Sequence, residues 1–340
     1  MPGISDHPSV AGRVSIAVAG AGYTAIGDHL RQVLPEAEIE LVASHSLRER
    51  ERFATVLIPV MSRIDATVMD RFAGLQLIQQ WGAGLEGVDI DAATARSIAV
   101  ANVATAGTGN AESVAEWCVM AAIAAGRRLR QLEQVIRDGS RWGGPVGRAL
   151  WGKTAGVVGL GGVGQALVQR LMPFGMDVVA VTRRPDPRAI TSLGLAWLGS
   201  LADLPVLLSR SDFLFLCLPL NEQTRGIIDA HALARLPAHA CVINAGRGGL
   251  VDHEALTDAL AGGRLSGAGL DVFDQEPLDP RSPLLSRTDI VATPHIAGVT
   301  DAAYQGVAIR VADNIARLLA GTTLHDCVNC PDMSSEMRRD

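Results

Sequence analysis

The chain contains 340 residues, of which 48% are hydrophobic and 19% are charged, and this composition excludes disordered and fibrous classes. Its net charge of -6, with no run of basic residues, excludes the electrostatic signature of a nucleic-acid or anionic-membrane protein and leaves small molecules as the expected partners. At this length we expect two domains rather than one hydrophobic core.

The first residues, MPGISDHPSVAGRVSIAVAG, do not show the cationic segment and apolar run of a signal peptide. No stretch approaches the roughly 18 uninterrupted apolar residues that span a bilayer. We therefore expect a soluble, cytoplasmic protein with no membrane partner.

The five cysteines are too few for a disulfide scaffold in a chain of this length. Cys118, Cys217 and Cys241 lie in apolar runs, where cysteine usually behaves as a small hydrophobic residue. Cys327 and Cys330 form one CxxC, which without a second pair is weak evidence for zinc or redox use. No metal site is predicted.

Short apolar runs alternate with helical patterns along the chain. The first hundred residues contain VSIAVAG, IELVAS and LQLIQQWG, and the second part contains AGVVGLG, DVVAVT, FLFLCLPL, CVINAG, SGAGLDVF and DIVATP. Runs that are apolar on both faces and separated by helices are typical of parallel sheets built from β-α-β units. The sequence therefore predicts an α/β fold with two parallel sheets.

Two amphipathic patterns predict longer helices. NAESVAEWCVMAAIAAGRRLRQLEQVIRDGS, residues 110–140, has apolar positions at helical spacing throughout and predicts one long helix, which a glycine-rich loop follows. DAAYQGVAIRVADNIARLLAG predicts a second helix near the C-terminal end.

Three segments match glycine-rich phosphate motifs. Gly20 to Ala25 and Gly159 to Gly164 both fit the G-x-G-x-x-G/A dinucleotide pattern after a strand. We favour the second, because the strand DVVAVT follows its helix and ends where a cofactor ribose is read. The residues of this predicted cofactor loop are Gly159, Gly161, Gly162, Val163 and Gly164. Residues 147–154 satisfy the Walker A expression, but they lead into a strand instead of a helix, so ATP binding is not predicted.

The residues at the end of DVVAVT indicate which nicotinamide cofactor is preferred. An NAD-dependent enzyme usually places Asp or Glu there, whereas this chain has Thr182, Arg183 and Arg184, with no carboxylate before Asp186. Because arginine forks match a phosphate, we predict NADP(H) as the favoured cofactor and keep NAD(H) as the alternative.

Three ionisable residues follow apolar strands in the second part of the chain. Arg247 follows CVINAG, Glu276 follows the LDVF segment, and His295 follows DIVATP. The carboxyl ends of parallel strands meet at one edge, so these side chains should converge. Arginine can bind a 2-oxo carboxylate and its carbonyl, histidine can donate a proton to the developing alkoxide, and glutamate can fix the histidine tautomer. We predict catalytic roles for all three.

The blocks GLGGVG, INAGRGGLVD, LDVFDQEPL and TPHIAG resemble the signature blocks of the D-isomer-specific 2-hydroxyacid dehydrogenases over about residues 40–329. The resemblance implies two Rossmann-like or flavodoxin-like doubly wound domains. In this family arrangement, residues 106–299 form a cofactor domain that is inserted into a discontinuous substrate domain, residues 1–105 and 300–340.

The resemblance also implies site residues and an assembly. It places the catalytic triad at Arg247, Glu276 and His295. It implies that the backbone N–H groups of Ala83 and Gly84 bind the substrate carboxylate. It also implies that the protein assembles as a homodimer. Cofactor contacts are implied at Cys217, Pro219, Thr224, Ala245 and, near the nicotinamide carboxamide, Asp271.

Departures from the family pattern narrow the expected chemistry. Glu276 stands where formate dehydrogenases of the superfamily have glutamine, which favours reduction of a 2-oxo acid. Thr182 replaces the usual cofactor acid, as in relatives similar to NADPH-dependent glyoxylate and hydroxypyruvate reductases. Trp142 has two readings, contact with a partner subunit's pocket or a plain interface or core role.

We therefore predict NAD(P)H-dependent reduction of a small 2-oxo acid, of the glyoxylate or hydroxypyruvate type, to the D-2-hydroxy acid. An NADH-preferring dehydrogenase for a bulkier 2-oxo acid is the alternative within the same chemistry. A nicotinamide-sensing binding protein without turnover is the alternative from another class.

Overall fold

The structure is a computed structural model that describes residues 14–20, 24–139 and 142–330. The chain divides into two compact units. The first unit comprises Met1–Asn110 together with Asp301–Asp340, and the second comprises Ala111–Thr300. No helix in the described ranges is long and apolar enough to cross a bilayer.

The first unit is built on a five-stranded parallel sheet in the order β2-β1-β4-β6-β7. This is the 2-1-3-4-5 order of flavodoxin-like folds. A separate two-stranded ladder pairs β3 with β5. The strands are β1 Ser15–Ala19, β2 Glu38–Val42, β3 Arg52–Phe53, β4 Val56–Pro59, β5 Phe72–Ala73, β6 Leu77–Gln79 and β7 Ala99–Ala101.

Both faces of this sheet are covered by helices because successive strand residues point to opposite sides. Ile16 and Val18 pack in one apolar cluster with residues of α1 and α12, and Ala17 and Ala19 pack in another with residues of α2 and α3. The helices are α1 Thr24–Val33, α2 Ala66–Met69, α3 Ile90–Thr94 and α12 Asp301–Leu319.

The second unit is built on a seven-stranded parallel sheet in the order β10-β9-β8-β11-β12-β13-β14. Numbered within the sheet, this is the 3-2-1-4-5-6 Rossmann order with one further strand. The chain order reverses between β8 and β11, which is where such sheets bind ligands. The strands are β8 Thr154–Val158, β9 Asp177–Thr182, β10 Trp197–Ser200, β11 Phe213–Leu216, β12 Ala240–Asn244, β13 Leu265–Leu270 and β14 Ile290–Ala292.

Helices cover both faces of this sheet as well. Phe213 and Phe215 pack in one cluster with residues of α4 and α6, while Leu214 and Leu216 pack in the other with residues of α8 to α10. The helices are α4 Asn110–Gly126, α5 Leu129–Asp138, α6 Gly162–Leu171, α7 Arg188–Leu193, α8 Leu204–Arg210, α9 Ala230–Arg235, α10 His253–Ala261 and α11 Pro283–Ser286.

The prediction of one long helix over residues 110–140 is wrong, because the pattern forms two helices. Arg128 adopts a left-handed backbone conformation with φ 57°, and this residue separates α4 from α5. Gly126, the last residue of α4, lies against the Phe213 ring and the Arg148 carbonyl oxygen. No residue of α5 is buried, but its Arg130 side chain donates to the carbonyl oxygens of Leu285, Arg287 and Ile290. A hydrophobic period alone does not reveal such a break.

Candidate active site

The strands of the second unit end in one row. Parallel pairing aligns Val158 with both Val181 and Leu216, and the row continues through Asn244, Leu270 and Ala292. The residues that directly follow these strand ends are therefore brought to one edge of the sheet, which is the ligand-binding edge of such folds.

In the glycine loop after β8, Gly159, Gly161 and Gly164 are each required to be glycine or favoured as glycine for a different structural reason. Gly159 has φ +104°, and a Cβ there would lie 2.6 Å from the Cys217 carbonyl oxygen. A Cβ at Gly164 would lie 2.0 Å from the Gly159 carbonyl oxygen, so α6 packs closely on the loop. Gly161 has no atom within 4 Å of its ideal Cβ position, which leaves open space beside the backbone. These are the roles of the glycines in a dinucleotide fingerprint.

The N-terminus of α6 is available to an anion. Gly161 is its N-cap and has no side chain to bond the first turn. Within the described ranges, the N–H groups of Gly162, Val163 and Gly164 have no hydrogen-bond partner. Unpaired N–H groups and the helix dipole together favour a pyrophosphate here.

The end of β9 carries two exposed arginines. Thr182 is half-buried, and Arg183 and Arg184 are exposed, with no ion pair in the described part of the chain. Asp186, the first carboxylate after β9, is 2.7 Å from the Arg188 guanidinium, and this pair lowers the pKa of Asp186. The Asp186 carboxylate is thus already paired with Arg188 of the same loop.

His295 and Glu276 form a hydrogen-bonded pair. The Nδ1 atom of His295 lies 2.7 Å from Oε2 of Glu276, and the two side chains are 33% and 18% exposed. A carboxylate only accepts, so Nδ1 donates and the imidazole keeps Nε2 for another partner. In the described residues Nε2 makes no hydrogen bond. A base oriented by a carboxylate in this way is a common catalytic arrangement.

The charges around Glu276 favour its ionised form. Burial is the largest single influence and raises the pKa of the Glu276 carboxyl, but the hydrogen bond and charge of His295 act against it. The Phe273 N–H, which donates to Oε1 at 2.8 Å, and the charge of Arg247 add to that effect. The net result is a pKa below the ordinary value.

Arg247 lies three residues beyond β12 in a loop that Asn244 organises. The buried Asn244 side chain donates to the Arg247 carbonyl oxygen at 2.9 Å and accepts from the Gly246 N–H at 3.0 Å. The Arg247 guanidinium donates to the Gly246 carbonyl oxygen at 2.7 Å. A Cβ on Gly248 would lie 2.0 Å from the Phe273 carbonyl carbon, so the Arg247 and Glu276 loops are in backbone contact.

Asp271 organises the segment that carries His295. Its buried carboxylate accepts from the Thr293 hydroxyl at 2.5 Å and from the N–H groups of Ile296 and Ala297, both at 2.8 Å. Its carbonyl oxygen accepts from the His295 N–H at 2.8 Å. His295 has φ 57°, a left-handed conformation that non-glycine residues adopt mainly where surrounding contacts enforce it.

The remaining cofactor residues implied by the resemblance lie near the same edge. Cys217 directly follows β11 and Ala245 directly follows β12, and burial raises the pKa of the Cys217 thiol to about 12. The Thr224 hydroxyl donates to the Pro219 carbonyl oxygen at 2.8 Å and accepts from the Asn221 N–H at 2.8 Å. Thr224 therefore shapes the loop after β11.

Ala83 and Gly84 belong to the first unit, in the loop after β6. The Ala83 carbonyl oxygen accepts from the Asn102 side chain at 2.8 Å. The N–H groups of Ala83 and Gly84 have no partner in the described part of the chain, so both are available to a carboxylate.

The other glycine motifs have different surroundings. Residues 21–23 of the first motif lie outside the described residues, and Gly20 packs against Val60. The Walker-like segment has no helix after it, because Thr154 begins β8 directly. ATP binding therefore has no structural basis there.

The cysteines and Trp142 also differ in their surroundings. Cys118 and Cys241 are buried, as predicted, and all five cysteines are unpaired. In the described ranges no group of three or more His, Cys, Asp or Glu residues could hold a metal ion, and Cys330 donates its N–H to the Cys327 Sγ at 3.2 Å. Trp142 is 98% exposed, which rules out the core role considered from the sequence.

Sequence reasoning missed Asn244 and Thr293 as organisers of the site. Asn244 is the last residue of a predicted strand and lies three residues before Arg247, and Thr293 lies two residues before His295. An amide or hydroxyl side chain at the end of an apolar strand is the signal that could have identified them, because a buried polar group needs hydrogen-bond partners. Which partners it has depends on the folded loop.

Comparisons with known proteins agree with this geometry. A family model described as D-isomer specific 2-hydroxyacid dehydrogenase, NAD binding domain, matches residues 119–297. The glyoxylate/hydroxypyruvate reductase B of Escherichia coli O1:K1 is 34% identical over 320 residues, which cover 90% of this chain and 96% of the relative. The D-3-phosphoglycerate dehydrogenase of Mycobacterium bovis is 37% identical over 303 residues, and this chain spans about half of its length, 53%.

Solved structures show the same fold. The TT0316 protein of Thermus thermophilus is 34% identical with a TM-score of 0.78, over 92% of this chain and 99% of its own. A D-isomer specific 2-hydroxyacid dehydrogenase of Xanthobacter autotrophicus Py2, solved with NADPH and MES, is 27% identical with a TM-score of 0.71, over 93% and 98% of the two chains. The chain therefore belongs to the D-isomer specific 2-hydroxyacid dehydrogenase family.

Proposed function

We propose that the protein is an NAD(P)H-dependent reductase that converts a small 2-oxo acid into the D-2-hydroxy acid. The observation that carries this proposal is the His295–Glu276 pair, with Nδ1 and Oε2 2.7 Å apart. The pair lies at the sheet edge where the Arg247 loop and the glycine loop also begin. This combination supports hydride chemistry on a carbonyl group.

The side chains divide the work of the reduction. When bound, the reduced nicotinamide supplies the hydride that the carbonyl carbon receives. Arg247 binds the substrate carboxylate and carbonyl oxygen, so its charge stabilises the oxygen as it becomes negative. His295 donates a proton from Nε2 to that oxygen, and Glu276 holds the imidazole in the required tautomer. One hydride and one proton thus complete the hydroxy acid.

The predicted binding of the substrate carboxylate by the N–H groups of Ala83 and Gly84 stays a proposal. The unpartnered N–H groups of Ala83 and Gly84 in the described part of the chain support a role in binding it, since paired backbone donors form a good anion site. The predicted nicotinamide contact at Asp271 also stays a proposal. Its carboxylate already accepts three hydrogen bonds within the chain, which supports a role in shaping the loop beside the nicotinamide.

NADP(H) is the proposed cofactor. Arg183 and Arg184 are exposed after β9, and Asp186 is engaged by Arg188. This leaves two cations and no free carboxylate in the described loop where the ribose is read, an arrangement that suits a 2′-phosphate. The relative solved with NADPH supports the same preference.

Glyoxylate or hydroxypyruvate is the proposed type of substrate. The supporting relative is the E. coli reductase named for both acids, which this chain matches over 96% of the relative's length. A bulkier 2-oxo acid with NADH is the alternative outcome, and nicotinamide binding without turnover would indicate a sensor.

A homodimer in the cytoplasm is the proposed setting. Helix α5 has no buried residue, and its Leu129 and Ile136 are exposed, as are Trp142, Val146 and Trp151 after it. An apolar surface of this kind supports contact with a second copy of the chain. The five unpaired cysteines support a reducing compartment.

Initial rates test the proposal. The purified protein is assayed with NADPH and with NADH, each with glyoxylate, hydroxypyruvate, pyruvate and phenylpyruvate, and the product configuration is determined on a chiral column. We expect turnover that favours NADPH by about tenfold, the effect of roughly 1.4 kcal/mol, and a D-product. NADH preference would overturn the cofactor assignment alone. Tight cofactor binding with no turnover of any acid would overturn the enzymatic proposal.

A further inference from the structure

A second histidine pair lies beside the candidate triad. His253 is the first residue of α10, directly after the N-cap Asp252. Its Nδ1 atom lies 2.9 Å from Oδ2 of Asp274, and the histidine side chain is only 13% exposed. Asp274 lies two residues before Glu276 in the loop that follows β13.

The His253 ring is held in one orientation. The Asp274 carboxylate accepts, so Nδ1 carries the proton. The other ring nitrogen, Nε2, is buried without a hydrogen-bond partner among the described residues. The ring also packs on Phe273, with centroids 6.1 Å apart and planes tilted by 40°. A buried ring nitrogen without a partner is unfavourable, so fold stability alone is a poor explanation for this histidine.

The segment that His253 contacts is the one that holds Glu276. The Phe273 N–H donates to Oε1 of Glu276 at 2.8 Å, while Oε2 accepts from His295 at 2.7 Å. The same segment also touches Gly248, where an added Cβ would lie 2.4 Å from the Asp274 nitrogen. Phe273 and Asp274 are thus contacted both by the Arg247 loop and by the His253 side chain.

We propose that His253, acting through Asp274, is a positioning residue that holds Glu276 in register with His295. The hydrogen bond from His253 fixes Asp274, the backbone of residues 273–276 follows, and the Phe273 N–H keeps one Glu276 oxygen in place. The other oxygen then meets the imidazole at hydrogen-bonding distance. This inference rests on the proposed function of the triad.

Three variants test the inference. His253→Ala removes the donor, His253→Asn keeps an amide N–H near the position of Nδ1, and His231→Ala changes an exposed histidine on α9 as a control. We expect His253→Ala to lower kcat by about tenfold, the lower end of losses for residues that orient a site, with little change in substrate KM. His253→Asn should recover most of kcat, and His231→Ala should behave as the parent protein.

A purely structural role would give a different pattern. It predicts equal losses in His253→Ala and His253→Asn that follow the fall in melting temperature, with no change in the pH profile of kcat. A positioning role predicts that the pH profile of His253→Ala shifts in the same direction as that of Glu276→Gln, with NADPH affinity retained. Parent-like kcat in His253→Ala, or no rescue by asparagine, overturns the inference.

Failure of this inference can be separated from failure of the proposed function. If Glu276→Gln impairs reduction and His253→Ala does not, the triad stands and the positioning role is wrong. If Glu276→Gln reduces the oxo acid at the parent rate, the role of Glu276 and the positioning role of His253 are both wrong, but the reductase function stands. If the parent protein binds the cofactor and reduces none of the acids tested, the proposed function itself is wrong.

Discussion

Substrate binding should depend most directly on Arg247. Arg247→Ala should leave NADPH affinity nearly unchanged, because the glycine loop and the α6 N-terminus are separate from the guanidinium. We expect kcat/KM for the oxo acid to fall roughly 100-fold or more, a loss of about 3 kcal/mol or more of transition-state stabilisation, as when a preorganised charge at a reacting oxygen is lost. Arg247→Lys, which keeps the charge but not the fork, is the matched control. Near-parent kcat/KM in Arg247→Ala would contradict the assignment.

Glu276 should make the stability of the protein depend on pH. Its pKa lies below the ordinary value of 4.5, so the native state favours the ionised carboxylate. That contribution is fully present above the ordinary value and is lost as the pH falls through the lowered pKa.

Denaturant unfolding of the parent and Glu276→Gln proteins measures this dependence. The difference between their midpoints should be constant at neutral pH and should shrink below about pH 4.5, where the unfolded carboxyl becomes protonated. A difference that stays the same across this range would show that the charge of Glu276 contributes nothing.

The sequence predicted where the three ionisable residues lie, but not what holds them. Arg247 and His295 each follow an apolar strand of a parallel sheet, and that placement alone brings them to one edge. The left-handed backbone of His295 and the bonds that Asp271 makes to it depend on loop conformation. Because many loop conformations are compatible with one strand pattern, such contacts could not be predicted from residue types.

At the level of elements, two glycines at the start of α6 have different roles: Gly161 leaves space for a ligand, and Gly164 allows close packing of the helix on the loop. An added methyl group at Gly161 would enter open space, and its backbone angles, φ -71° and ψ -167°, are accessible to alanine. An added methyl group at Gly164 would meet the Gly159 carbonyl oxygen at 2.0 Å.

Gly161→Ala should therefore keep the parent melting temperature and lose NADPH affinity, since the methyl group occupies the space left for the pyrophosphate. Gly164→Ala should be destabilised by about 1–3 kcal/mol, the usual cost of overpacking. Calorimetry and NADPH fluorescence titration on both variants measure the two effects. Parent-like NADPH affinity in Gly161→Ala would place the cofactor elsewhere.

Element prediction succeeded where the apolar run was long. DVVAVT forms β9 over the predicted six residues, Asp177–Thr182, and the C-terminal amphipathic pattern forms α12. The strands β3, β4, β5, β7 and β10, each of two to four residues, do not lie in any of the apolar runs from which strands were predicted. The break between α4 and α5 at Arg128 was missed because the helical period continues across it.

At the level of the whole molecule, the exposed face of α5 predicts self-association. Ile136 is 70% exposed in the single chain. Ile136→Glu places a charge at this apolar position, and desolvating that charge would oppose dimer contact. We expect the molar mass from light scattering to fall from two chains to one. Val206→Glu, at an exposed apolar position on α8, is the control. A parent protein that is monomeric at micromolar concentration would contradict the prediction.

The fold class was predicted from alternating elements, and the structure confirms α/β architecture with two large parallel sheets, of five and seven strands. The strand orders, which identify one sheet as flavodoxin-like and the other as Rossmann-like, depend on contacts distant in sequence. Residue patterns do not encode such crossovers directly, so the orders could be expected only from the family resemblance.

The rate of oxo-acid reduction by His295→Ala is the most direct test of the proposed mechanism. It is measured with the best substrate of the parent protein, beside NADPH affinity and melting temperature for the same preparation. We expect a fall in kcat of roughly 100-fold or more, the usual contribution of a positioned general acid, with NADPH affinity retained. Parent-like kcat in this variant, at unchanged stability and cofactor affinity, would contradict the assignment of His295 as the proton donor.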